Sequence, residues 1–164
     1  MRLYDTMTPQ VREDQTAHPR LARIYACGPT VYRDAHVGNM RTFLVTDLIS
    51  RGLNYAGIRT KVVQNITDVG HMANDIGLGE DKMLVQSAKT GRSALEIAQH
   101  YEAAFHRDLA ALNIYPADHY PRASESIDSM VALISGLIDS GHAYVGADGS
   151  VYFSAQSFDS YGAL

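Results

Sequence analysis

The sequence has one cysteine, Cys27, and no tryptophan in 164 residues. A single cysteine excludes an internal disulfide framework and any metal knuckle built on Cys-x-x-Cys. Cys27 is left as a buried small hydrophobe, a nucleophile, or one ligand of a site completed by other residue types. Cationic excess is also missing: 14 Lys and Arg stand against 18 Asp and Glu, a net charge of −4 with His neutral. That balance excludes a protein whose main work is coating nucleic acid or an anionic membrane, and confines any nucleic-acid contact to a local patch. No apolar run approaches the roughly 20 residues that span a bilayer. Met1-Arg2-Leu3-Tyr4-Asp5 lacks the basic-then-apolar plan of a secretory signal, so a cytoplasmic protein with no membrane partner is expected. With 46% hydrophobic and 20% charged residues, the chain suffices for one domain, or one domain and the start of another. It contains no internal repeat and no low-complexity segment.

What is present reads as an α/β chain. Met1 to Arg20 is polar and irregular. Arg23 to Cys27 is short and apolar-biased and stops at Gly28-Pro29, which predicts a buried strand entering a loop. From Asn39 or Met40 to Tyr55, apolar Phe43, Leu44, Leu48, Ile49 and Leu53 recur at helical spacing, with Asn39 as N-cap and Gly57 as the stop. Arg59 to Ile66 follows, rich in β-branched residues. Strand, helix and strand then form one right-handed crossover with parallel strands. Asp68 to Asp81 reads as a long loop, and Asp81 to Lys89 as a short helix. Ser93-Ala94-Leu95-Glu96 is a capping box opening a helix with Ala98, Tyr101, Phe105, Leu109 and Leu112 on one face. Pro116 to Pro121 is a turn-rich joint and the main organisational boundary. Beyond it, Ile127, Met130, Val131, Ile134, Leu137 and Ile138 give the strongest helix signal in the chain, ending at Gly141. His142 to Ser154 predicts a β-hairpin.

In an open parallel sheet, ligands bind at the carboxyl ends of the strands. The first strand delivers Cys27-Gly28-Pro29-Thr30 to that edge, then His36-Val37-Gly38-Asn39 to a helix N-terminus. Unpaired backbone N–H groups, a positive dipole end, a glycine and side-chain donors from His36 and Asn39 suit a phosphate. The second strand delivers Thr67 with a hydroxyl and Asp68 with a carboxylate suited to an ammonium or a ribose hydroxyl. Taken by themselves, these fragments are equally those of a parallel unit whose His and Asn merely cap a helix. Thr30, Thr67 and Asp68 are equally residues of turns and caps. His71 is a pocket-edge or a loop-stabilising histidine, and His100 and His106 are solvated helix residues.

Taken together, the fragments Tyr25-Ala-Cys27-Gly28-Pro-Thr30-Val-Tyr32, His36-Val-Gly38-Asn39-Met-Arg41-Thr42-Phe43, Asn65-Ile-Thr67-Asp68-Val-Gly70-His71 and Gly79-Glu80-Asp81-Lys82-Met83 closely resemble cysteinyl-tRNA synthetases. The resemblance continues in order through Asp108 to Ile114, Pro121 to Glu125, Gly141-His-Ala-Tyr144 and Tyr161-Gly162. It implies a class I aminoacyl-tRNA synthetase catalytic domain with a Rossmann-type parallel sheet. Residues 1–115 would then be its first half, and 116–164 the start of a connective α+β insertion.

The implied activity is cysteine–tRNA ligation: cysteine and ATP with Mg2+ give cysteinyl-adenylate, and the cysteinyl group passes to its tRNA. His36-Val37-Gly38-Asn39 stands where the class I His-Ile-Gly-His motif binds ATP, so His36, Gly38 and Asn39 are the implied ATP contacts, with His36 and Asn39 catalytic. Asn in the last position keeps a neutral donor and cannot be cationic. Gly28, Thr30, Thr67 and Asp68 are assigned to the cysteine and adenylate pocket. Cys27 stands at the first ligand of the family's Zn2+, a thiophilic ion that separates cysteine from serine. The other implied zinc ligands, a Cys, a His and a Glu, are not in these motifs, nor is the Lys-Met-Ser-Lys-Ser loop. The resemblance implies a monomer whose tRNA contacts lie mostly outside the chain. Two other readings stand beside it: a cysteine ligase of mycothiol synthesis that joins cysteine to a glucosaminyl-inositol amine, and a stand-alone paralogue that binds nucleotide without aminoacylation.

Overall fold

In a computed structural model of the chain, residues 2–13, 16–69 and 91–163 are described. In chain order the elements are β1 (Arg2–Asp5), β2 (Gln10–Glu13), β3 (Leu21–Ala26), α1 (Val37–Tyr55), β4 (Arg59–Gln64), α2 (Ala94–Ala111), α3 (Ile127–Asp139), β5 (Ala143–Val145) and β6 (Val151–Phe153). The architecture is mixed α/β with small sheets. Two compact units are formed, one by Gln15–Ser124 and the other by Arg2–Asp14 with Glu125–Leu164. Among the described residues no helix is long and apolar enough to cross a membrane.

In the first unit β3 and β4 pair in parallel, Leu21 opposite Arg59 through Ala26 opposite Gln64. Helix α1 connects them and packs on both, as the strand–helix–strand pattern predicts. Beyond Ala26 the ladder parts and closes again at Thr30 and Thr67. There the Val31 N–H donates to the Thr67 carbonyl at 3.1 Å and the Thr67 N–H to that of Pro29 at 3.0 Å. The gap between these two stretches of pairing is where the site described below is built.

The segment expected to be a turn-rich joint does more than turn. His119 and Arg122 form parallel bridges to Val63 and Ile66. The Gln64 and Ile66 N–H groups donate to the His119 and Pro121 carbonyls at 3.0 and 2.9 Å. Residues 118–123 thus continue the sheet as a third parallel run beside β4. A proline within it, Pro121, hides that run from a strand pattern, because Pro offers the ladder a carbonyl and no N–H. Pro121 uses its carbonyl alone.

The core gathers Val31, Met40, Phe43, Ile66, Ile97, Ala98, Phe105, Leu109 and Ile114. Phe43 of α1 meets Phe105 of α2 edge to face, with ring centroids 5.2 Å apart. Each such burial stabilises by about 1.5–3 kcal/mol. Polar clamps fasten the helices to the rest. Buried Asp47 accepts from Arg51 Nε at 2.7 Å and from the Tyr115 N–H at 3.1 Å. The Arg51 guanidinium lies 3.5 Å over the Tyr115 ring. Buried Glu102 takes Arg122 as a two-pronged pair at 3.0 and 2.7 Å, tying α2 to the third run. His106, expected to be solvated, is half-buried and packs edge to face on Tyr120 at 4.7 Å. His100 is exposed, as expected.

Ser93 caps α2 as its sequence predicts: Ser93 Oγ accepts from the Glu96 N–H at 3.2 Å, and the Glu96 carboxylate accepts from the Ser93 N–H at 2.8 Å. The backbone of Asn113 turns left-handed at φ 55° just beyond the helix. The expected loop from Asp68 and the short helix from Asp81 lie mostly or wholly within 70–90, outside the described residues, as does His71.

In the second unit, Arg2 to Glu13 is a two-stranded antiparallel hairpin rather than irregular chain, with Arg2 opposite Glu13 and Asp5 opposite Gln10. Its turn is held by Asp5, whose carboxylate accepts from the Met7 N–H at 3.0 Å and the Thr8 hydroxyl at 2.9 Å. Both strands are largely exposed, so no buried face imposes the alternation by which a strand is recognised. Helix α3 and the β5–β6 hairpin form where expected. No residue of α3 is buried, however, and Ile127, Met130, Val131 and Leu133 are exposed. Periodicity reports the helix and not what covers it.

Candidate functional site

The chain leaves β3 at Ala26 and passes through Cys27, Gly28 and Pro29 before pairing again at Thr30. Gly28 is required at that turn: a Cβ there would lie 1.6 Å from the backbone oxygen of Asn65. Only a residue without a side chain permits strands that close. The Gly28 N–H donates to Asn65 Oδ1 at 3.1 Å, and buried Gln64 donates through Nε2 to the Cys27 carbonyl at 3.3 Å. Cys27 is an exposed free thiol whose Sγ lies 3.6 Å from the Gly28 carbonyl oxygen. Its ligand or nucleophile alternatives therefore survive, and the buried-hydrophobe alternative does not.

A cavity of about 270 Å³ opens beside this turn, with Cys27, Gly28, Thr30, Arg33, Asp34 and Asn39 among its walls. Four residues singled out from the sequence thus meet there. Thr67 faces Thr30 across the reclosed ladder. Asp68 is buried; its Oδ1 accepts from the Ser124 N–H at 2.9 Å and its Oδ2 from the Ser124 hydroxyl at 2.5 Å. Two of the roughly four acceptor positions of a carboxylate are then taken by the chain itself.

The start of α1 differs from the sequence expectation in one respect. The N-cap is His36, and Asn39 sits three residues inside the helix. His36 Nδ1 accepts from the N–H groups of Gly38 at 3.1 Å and Asn39 at 3.3 Å, while Asn39 Oδ1 accepts from the His36 N–H at 3.1 Å. The helix therefore satisfies much of its own N-terminus, and the free N–H groups expected there are largely in use. What it presents instead are side-chain donors. Because Nδ1 is an acceptor, the proton of the neutral imidazole sits on Nε2, away from the cap. The Asn39 carboxamide likewise keeps Nδ2 outside the bond its oxygen makes. An anion at this end of α1 would meet an imidazole N–H and an amide N–H, aided by the dipole end of the helix.

Residues 13–164 match the family described as "tRNA synthetases class I (C) catalytic domain". The chain belongs to that family. It is 44% identical over 161 residues to the Cysteine–tRNA ligase of Treponema pallidum (strain Nichols), a match covering 98% of this chain and 31% of that relative. It is 42% identical over 162 residues to the Cysteine–tRNA ligase of Deinococcus radiodurans, covering 99% of this chain and 32% of the relative. For the Cysteine–tRNA ligase of Thermosynechococcus vestitus the identity is 40% over 164 residues, 100% of this chain and 32% of the relative. The chain spans about a third of the length of these curated relatives.

The zinc ion that the family resemblance implies is poorly served by what is described. Among the described residues no group of three or more His, Cys, Asp or Glu is placed to hold a metal ion. A tetrahedral zinc site needs four donors, and the exposed Cys27 supplies one. These residues do not fit a complete zinc site.

Sequence reasoning passed over Asn65, Arg33 and Asp34. Arg33 and Asp34 lie between the recognisable pieces, and their place on the cavity wall follows from the fold of the loop. Asn65 was in view at the strand end, but its partner Gly28 is far away in sequence. No local pattern encodes that pairing.

Proposed function

We propose that this chain forms the amino-acid and ATP binding surface of a cysteine–tRNA ligase. In this reading it is the first half of a Rossmann-type catalytic domain, with the connective insertion starting within 116–164. The observation that carries the reading is the meeting of Cys27, Gly28, Thr30 and Asn39 on one cavity, beside the His36-capped start of α1. Membership of the synthetase family supports it independently.

In the proposed reaction a carboxylate oxygen of cysteine attacks the α-phosphorus of ATP, the bond to pyrophosphate breaks, and cysteinyl-adenylate forms. The cysteinyl group then passes to the terminal ribose of its tRNA. There is little proton chemistry for the protein to do, and the work is positioning and charge stabilisation. His36 Nε2 and Asn39 Nδ2 donate to phosphate oxygens, and Gly38 leaves room for their approach. Thr30, Thr67 and the Gly28 turn hold the cysteinyl group. Asp68, through Ser124, fixes the neighbouring strand end. Mg2+ would accompany ATP and neutralise its phosphates. Cys27 is read as a single zinc donor.

The test is calorimetric titration of the chain with a sulfamoyl analogue of cysteinyl-adenylate, with the phenylalanyl analogue as control. Saturable binding of the cysteinyl analogue, displaced by ATP and about tenfold or more tighter than the control, is the result expected of the proposed site. No binding, or equal binding of both, would overturn the reading.

A further inference from the structure

The Asn65 side chain makes three hydrogen bonds at the parted ladder, two across to the β3 side and one along its own strand. Its Oδ1 accepts from the Gly28 N–H at 3.1 Å and from the Tyr25 hydroxyl at 3.2 Å. Its Nδ2 donates to Thr67 Oγ1 at 3.1 Å. The orientation of the carboxamide is dictated by chemistry: a flipped amide would aim two N–H donors at the Gly28 N–H, which cannot accept.

That orientation has a consequence for Thr67. A hydroxyl has one proton to give and lone pairs to receive. With the Asn65 amide donating into the Thr67 oxygen, the hydroxyl proton is not needed by Asn65 and points elsewhere. The Thr67 backbone is held at the same time by Val31 and Pro29, at 3.1 and 3.0 Å, so the hydroxyl is presented from a fixed base opposite Thr30.

We propose that Asn65 is a positioning residue that locks the end of β3 through the Gly28 amide and polarises Thr67, making the Thr67 hydroxyl a hydrogen-bond donor to an acceptor oxygen of the cysteinyl group. The ligand half of this inference rests on the proposed function; the hold on Gly28 does not. The variants separate the two halves. Asn65→Asp keeps the acceptor for Gly28 and Tyr25 but replaces the amide donor with a second acceptor, so the Thr67 proton turns back toward residue 65. Asn65→Ala loses all three bonds. Thr67→Val keeps the shape of the side chain and loses the hydroxyl.

Amide hydrogen exchange at Gly28, read by NMR without ligand, should quicken about tenfold or more in Asn65→Ala and stay near the wild-type rate in Asn65→Asp. Affinity for the sulfamoyl cysteinyl-adenylate analogue should fall about tenfold in Asn65→Asp and by a similar factor in Thr67→Val. The double variant should lose no more than either single one, because both remove the same bond. A purely structural Asn65 would not give that non-additivity with Gly28 still protected. Unchanged Gly28 exchange in Asn65→Ala, wild-type affinity in Asn65→Asp, or independent losses in the double variant would each overturn the inference. If the wild-type chain binds no analogue while Gly28 exchange follows the expected order, the proposed function fails and the hold of Asn65 on the strand end is supported.

Discussion

Replacing Gly28 with alanine perturbs the backbone of the site without removing a titratable group. The new Cβ would sit 1.6 Å from the Asn65 backbone oxygen and 2.7 Å from its carbonyl carbon. Ordinary contact needs roughly 3.5 Å, so the two strand ends must separate by about 2 Å. Neither side yields cheaply. Ile66 and Thr67 are bonded through their N–H groups to the Pro121 and Pro29 carbonyls at 2.9 and 3.0 Å. Overpacking of this kind costs about 1–3 kcal/mol, and losing the Gly28 to Asn65 bond adds about 1 kcal/mol. The expected destabilisation is about 3 kcal/mol, a fall in Tm of roughly 10 °C. Urea denaturation followed by circular dichroism reads it as a shift of midpoint at constant slope. Gly57→Ala is the comparison: φ there is +80° with open space around it, so only left-handed strain of about 1–2 kcal/mol applies. A Gly28→Ala protein less destabilised than Gly57→Ala would refute the close-approach argument.

Three further outcomes are expected. His36→Ala removes the acceptor of two N–H groups at the start of α1 and should cost about 1 kcal/mol. His36→Asn restores a cap without the imidazole, so the two variants should differ in denaturation midpoint yet lose ATP affinity alike in an equilibrium titration. Cys27 is exposed and should be alkylated by iodoacetamide in the native protein to one equivalent, with the cysteinyl-adenylate analogue slowing the reaction; mass spectrometry reads both. The Glu96 carboxyl is held below its ordinary value of 4.5 by the Ser93 N–H and then the Ser93 hydroxyl. A depressed carboxyl contributes stability that is fully present above pH 4.5 and is lost as pH falls through the lowered value. An acid-unfolding series should therefore show a shallower loss below pH 4.5 in Glu96→Gln than in the parent.

What the sequence disclosed about this fold depended on range. The α1 and α2 helices, the parallel pairing of β3 with β4, the Ser93 capping box and the β5–β6 hairpin all follow from residues within one element or one crossover. The pieces that escaped notice depend on distant partners or on exposure. Residues 118–123 bridge in parallel to the Val62–Ile66 stretch although Pro121 disguises them, because hydrogen bonds run both ways between the two segments and the one Pro121 makes needs only its carbonyl. The hairpin from Arg2 to Glu13 has no buried face to show in its pattern. His36 displaced Asn39 as the N-cap because a histidine ring can accept from the first turn, a role that cap statistics give to shorter side chains. The site was legible as a set of fragments, since Cys27 to Thr30 and His36 to Asn39 are contiguous motifs. Their convergence on one cavity, and the Asn65 bonds that hold it, come from pairing across the sheet.

The measurement that bears most directly on the proposed site is NMR mapping of the isotopically labelled chain during titration with the sulfamoyl analogue of cysteinyl-adenylate. Saturable shifts of the backbone amides of Cys27, Gly28, Thr30, His36 to Asn39 and Thr67, together with a change at the His36 imidazole, are the expected result. Shifts confined to α3 and the β5–β6 hairpin, or none at any residue of the β3 end and the start of α1, would contradict the assignment of this cavity to cysteine activation.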